Sequence, residues 1–196
     1  EGYDRAVHNF VCAVLDGKPA NLFLKDFSTL QRKTAFYGRL NGLAQVLLKL
    51  TVPGIPDIYQ GTELWDYSLV DPDNRRTVDY ERRQQILEEL KSEVERAGQD
   101  LVALARRLLE SSADGRVKLY LTYRTLNFRR DHADLFSQGN YVPLEVEGEK
   151  QDHVCAFARR LGQAEIIVAV PRLVVGLTGG SEQMPLGQNV WLNTRL

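Results

Sequence analysis

Apolar positions recur with a helical period up to about residue 138 and with a period of two beyond it. Val7, Phe10, Val11 and Val14 form one apolar stripe, predicting a helix that Gly17-Lys18-Pro19 stops. A second helical stretch is predicted from about residue 21 to 50, with Leu24, Phe27 and Leu30 on one side. Its end, residues 43–50, is strongly apolar before Pro53 and Gly54 break it, and Gly38 and Gly42 argue against one straight helix. Residues 55–59 are a short apolar run bounded by Gly54 and Gly61, the pattern of a buried strand. Residues 62–79 then lose all periodicity, and Asp71-Pro72-Asp73-Asn74 is a turn signal. An irregular connection of that length directly after a buried strand is often functional.

Three more helices are predicted. Ile86, Leu87, Leu90 and Val94 line one face, and Leu101, Leu104, Leu108 and Leu109 another. Residues 117–128 are apolar on more than one side and are expected to be well buried. From Tyr141 the period shortens: Val142, Leu144 and Val146 alternate with Glu145 and Glu147, and residues 155–158, 166–170 and 190–192 are further candidate strands. The expected fold is α+β. Residues 1–138 form a mostly helical part with one short strand, and residues 139–196 form an antiparallel β domain.

Composition narrows the partners. Among 196 residues, 25 basic and 26 acidic side chains leave a net charge of -1, giving no electrostatic reason for nucleic acid or an anionic membrane. Runs such as Glu81-Arg82-Arg83 and Glu88-Glu89-Leu90-Lys91 mix signs in the manner of solvated helix faces. Cys12 and Cys155 lack metal-ligand spacing and are expected to be buried free thiols. No apolar run reaches the ~20 residues needed to cross a bilayer, and no signal-peptide pattern opens the chain, so a cytoplasmic location is expected. The sequence carries no phosphate-binding loop, zinc spacing or nucleophile elbow, and His8, His132 and His153 are scattered; no cofactor or metal is expected. The ends, Glu1-Gly2-Tyr3 and Val190-Trp191-Leu192-Asn193, read as cuts within something longer.

The chemistry concentrates in residues 53–79, where Asp57, Glu63, Asp66, Asp71, Asp73 and Asp79 stand among Tyr59, Trp65, Tyr67, Arg75 and Arg76. Carboxylates and amides bind sugar hydroxyls, and aromatic faces stack on pyranose rings. The same residues could instead hold a loop together through Arg–Asp pairs, and composition leaves both readings open.

The run Gly54-Ile55-Pro56-Asp57-Ile58-Tyr59-Gln60-Gly61-Thr62-Glu63 resembles the eighth-strand segment of α-amylase-type barrel enzymes. Its continuation, Leu69-Val70-Asp71-Pro72-Asp73-Asn74-Arg75-Arg76, narrows the resemblance to the maltooligosyl trehalose synthases, with Thr77 standing where that pattern has Pro. Residues 118–144, 153–160, 168–173 and 191–194 resemble the last barrel helix and the following β domain in the same order.

The resemblance implies that residues 55–59 are the last strand of a (β/α)8 barrel with its site at the strands' C-terminal face. It places Tyr59, Gln60, Glu63 and Trp65 near that end, with Trp65 as a stacking platform and Glu63, Asn74, Arg75 and Arg76 as hydroxyl-binding or loop-organising partners. The family's reactive carboxylates belong to earlier strands, so no catalytic residue is expected here, and Asp57 and Glu63 are not substitutes for them. The implied activity of the intact enzyme converts the reducing-end α-1,4 linkage of a maltooligosaccharide to α,α-1,1. The implied partners are that substrate and the remainder of the same polypeptide, and the fragment alone is expected to be inactive. Other readings are a sucrose phosphorylase-like or amylosucrase-like relative, a non-catalytic carbohydrate-binding module, and a purely structural C-terminal module.

Overall fold

The computed structural model describes residues 2–18 and 20–196; Pro19, part of the predicted stop, and Glu1 lie outside the described residues. The chain is helix-rich, with one small antiparallel sheet. Helix α1 spans Gly2–Val14 and α2 spans Leu22–Thr51. Asn21 starts α2 by accepting the Leu24 amide at 3.1 Å, and Gly38 and Gly42 leave it unbroken. The apolar stripe of α1 is formed but exposed, with Phe10 and Val11 facing solvent, and Cys12 is exposed with it rather than buried. Both cysteines are free. No helix among the described residues is long and apolar enough to cross a membrane.

Helices α3 (Tyr80–Ala97), α4 (Leu101–Glu110) and α5 (Arg116–Asp131) follow the loop. Asp79 and Asp100 start α3 and α4 by accepting the amides of Arg82 and Ala103. Ile86 and Leu90, Leu104 and Leu108, and Val117 and Leu119 bring the three apolar faces together in one core that Leu64 completes. Burying such side chains is worth about 1.5–3 kcal/mol each against full exposure, enough to hold these helices in place.

A short helix α6 (Ala133–Gln138) leads into strands β1 (Asn140–Pro143), β2 (Val154–Leu161) and β3 (Ala164–Pro171), paired in the order β1-β2-β3. Val142 lies opposite Ala158, and Phe157 opposite Val168. Two turns of helix, α7 (Val174–Leu177) and α8 (Gln188–Trp191), complete the chain.

Two predicted strands are not strands. Residues 190–192 lie in α8 and its cap, where Trp191 folds its indole N–H back onto the Pro185 carbonyl at 2.8 Å. Residues 55–59 take no regular structure; their exposure alternates residue by residue as in a strand, yet they join no sheet among the described residues. Ile55 is 96% exposed. A strand requires a neighbour for its backbone N–H and C=O groups, and periodicity cannot supply one.

Arginines tie the sheet and the chain exit of α2 to the helices. Arg159 on β2 is 1% exposed, and its guanidinium donates to the carbonyls of Thr51 (3.2 Å), Phe136 (2.9 Å) and Gly139 (2.8 Å). These oxygens lie at the C-terminal ends of α2 and α6, where the helix dipole favours a cation. Burial and the neighbouring Arg129 hold the Arg159 pKa below its ordinary value. Arg129 donates to Leu50 (3.0 Å) and Gly54 (2.6 Å), fixing the direction in which the chain leaves α2. Tyr37 completes the join, donating to the Ser181 carbonyl at 2.8 Å beside Thr178.

Candidate functional site

Residues 55–59 run from the end of α2 to a tight turn. The Thr62 amide and hydroxyl both donate to the Tyr59 carbonyl, at 3.1 and 2.7 Å. Gly61 sits in the turn at φ +90, and a Cβ there would lie 3.2 Å from the Val78 side chain, so the position requires glycine. Tyr59, 46% exposed, lines a cleft of about 360 Å3 between α2, this segment and α5. Gln45, Lys49, Asp57, Thr62, Lys118 and Thr122 add polar groups to it. Gln60 accepts from the Tyr80 hydroxyl at 3.4 Å.

Glu63 pairs with Arg83 Nε at 2.9 Å. The other two nitrogens of that guanidinium donate to the Gly61 carbonyl (2.8 Å) and the Asp79 carbonyl (3.0 Å). The mixed charge run Glu81-Arg82-Arg83 is therefore not a solvated face throughout, since Arg83 turns under the loop with its side chain 18% exposed.

Trp65 packs against the helices. Its indole N–H donates to the Ser112 carbonyl at 2.6 Å, and its ring packs beside Gly42, where a Cβ would stand 3.2 Å from the ring edge. Lys118 Nζ lies 5.3 Å from the ring centre and donates to the Leu64 carbonyl at 3.0 Å. Burial, reinforced by Lys49, lowers the Lys118 pKa, while Asp66 and Glu63 pull the other way. Asp66 accepts both the hydroxyl and the amide of Ser68, which holds its carboxyl below the usual range.

Asn74, Arg75 and Arg76 lie apart from this turn, in and after the 3-10 turn Asp73–Arg75. Arg75 pairs with Asp71 at 2.5 Å and Arg76 with Asp73, so both arginines organise the loop locally. The Asn74 side-chain oxygen is buried without a donor among the described residues. The structure thus gathers Tyr59, Gln60 and Glu63 into one turn beside the cleft, sets Trp65 into the helical core as the loop's anchor, and leaves residues 74–76 in a separate turn. Arg83, Arg129 and Lys118 escaped the sequence reading. All three act on backbone carbonyls distant in sequence, which leave no compositional trace.

No family model matches the chain. Proteins carried under the provisional name maltooligosyl trehalose synthase in Mycobacterium tuberculosis strains CDC 1551 / Oshkosh and H37Rv are 36% identical over 192 residues. That match takes in 96% of this chain, and the chain spans 21% of the length of these relatives. The solved maltooligosyltrehalose synthase of Arthrobacter ramosus matches 97% of the chain at 31% identity with a TM-score of 0.70, again over 21% of its own length. A further solved maltooligosyl trehalose synthase matches 87% of the chain with a TM-score of 0.63. Sequence and fold agree: over nearly its whole length the chain is similar to a C-terminal region of maltooligosyl trehalose synthases.

Proposed function

We propose that this chain is the C-terminal part of a cytoplasmic maltooligosyl trehalose synthase, an intramolecular glucosyl transferase. In this reading residues 1–138 close a (β/α)8 barrel, residues 55–59 are its eighth strand, and residues 139–196 form the appended β domain. The backbone groups of residues 55–58 would pair with strands outside this sequence. Carboxylates on those strands would break the reducing-end α-1,4 bond through a glycosyl–enzyme intermediate. The released glucose would then turn and attack through its anomeric hydroxyl to give the α,α-1,1 linkage.

Water competes with that glucose as the acceptor, so the site has to exclude it. The 59–79 segment is the wall we assign to this task. Tyr59 offers an aromatic face at the cleft. Gln60 and Glu63 stand on the same turn, Trp65 anchors the wall, and residues 74–76 shape its outer part. The observation that carries the reading is the position of Tyr59, exposed at a cleft within the run that resembles the family's eighth-strand pattern.

A second reading has one observation in its favour: Glu63 and Trp65 already spend their polar groups inside the protein, as in a packing unit. Two measurements with maltopentaose separate the readings. The 196-residue chain alone is expected to give no turnover. In a full-length synthase carrying this region, Tyr59→Ala is expected to raise free glucose relative to trehalosyl product several-fold. An unchanged ratio removes Tyr59 from the site and favours the packing unit; turnover by the isolated chain overturns the placement of the reactive carboxylates elsewhere.

A further inference from the structure

The loop at residues 62–79 begins and ends at one side chain. Arg83, on the first turns of α3, donates Nη2 to the carbonyl of Gly61, just before the loop, and Nη1 to the carbonyl of Asp79, its last residue. Its Nε holds Glu63 inside the loop at 2.9 Å. The three acceptors converge on a planar fork that a lysine, with one nitrogen, cannot reproduce. The surroundings reinforce the convergence. Gly61 is buried against Val78, and the Tyr80 hydroxyl reaches back to Gln60. The Arg83–Glu63 pair is also shielded, with side chains 18% and 26% exposed, whereas Arg75 and Asp71 are 68% and 53% exposed.

We propose that Arg83 is the positioning residue of this site: by bonding both ends of the loop it sets where Tyr59, Gln60 and Glu63 stand against the cleft, and so how well the reducing-end sugar is kept from water. Arg83 touches no substrate in this scheme and acts through the loop it closes. The inference rests on the wall reading above, and two readouts keep the two apart.

The first readout is amide exchange over residues 62–79 in the 196-residue chain, compared between the wild type, Arg83→Lys and Arg83→Met. Loop exchange is expected to quicken at least ~10-fold in Arg83→Met and less in Arg83→Lys, with the α3 core around Ile86 and Leu90 unchanged. The second is the ratio of glucose to trehalosyl product from maltopentaose in the full-length synthase. It should rise several-fold in Arg83→Met while total maltopentaose consumption changes less, a split that general destabilisation would not give. Unchanged loop exchange overturns the clamp, and exchange that quickens throughout α3–α5 reduces Arg83 to a structural part. A loosened loop with an unchanged ratio overturns the positioning role, and if Tyr59→Ala also leaves the ratio unchanged, the wall reading itself has failed.

Discussion

The base and the crown of the 59–79 segment are built from similar residues and held in different ways. At the base, Glu63 and Arg83 are shielded, Gly61 and Leu64 are buried, and Trp65 is wedged between α2 and the start of α5. In the crown, Tyr67, Leu69 and Val70 are exposed, and Arg75 and Arg76 pair with aspartates only three or four residues away. Arg75 and Arg76 are 68% and 80% exposed, although Asp73 is only 24% exposed, and pairs with so exposed an arginine contribute little, because water screens them and a long side chain must be immobilised. A partly buried aromatic ring and a shielded three-way guanidinium contribute more. An ion pair in a loop is therefore informative only together with its exposure, and by that criterion the base is fixed while the crown depends on what it meets.

The contrast can be broken at five residues, in descending order of effect. Trp65→Ala removes the ring from beside Gly42 and the bond to Ser112, and should destabilise the chain by about 3 kcal/mol in urea unfolding. A loss below about 1 kcal/mol would mean that Trp65 is not an anchor. Gly61→Ala forces a side chain into a φ of +90 and against Val78, with an expected loss of about 2 kcal/mol by the same measurement. Asp79→Ala deletes the α3 cap and should lower stability by about 1 kcal/mol, visible as lost helicity at the start of α3. Arg75→Ala and Arg76→Ala should each stay within about 0.5 kcal/mol of wild type, and a larger loss from either would erase the distinction between crown and base.

A titration sharpens it further. The lowered Lys118 pKa means that the folded chain holds this proton more weakly than the unfolded chain does. Its charge therefore weakens the fold most below the folded pKa. The penalty is relieved as pH rises through that pKa toward the ordinary 10.5. Lys118→Met should flatten that alkaline gain in stability, and an unaltered pH slope would show that Lys118 is not desolvated.

Much of the helical architecture was legible because it is local. The apolar stripes of α3 and α4 face the core that their spacing implies. Strands β2 and β3 were legible from their apolar runs. The misses have one cause. Whether 55–59 becomes a strand, whether the α1 stripe is covered, and where Arg83 points all depend on groups distant in sequence. The tyrosine of the turn was singled out from its motif, whereas the arginine that closes the loop stood in a charge run that reads as surface.

Residue-resolved amide exchange in the 196-residue chain tests the central contrast most directly. The Thr62 amide, bonded to Tyr59 in the base, should exchange at least ~10-fold more slowly than the Asp73 and Arg75 amides, whose bonds to Val70 and Pro72 lie in the crown. Equal rates, or a Thr62 amide that exchanges faster, would contradict the account.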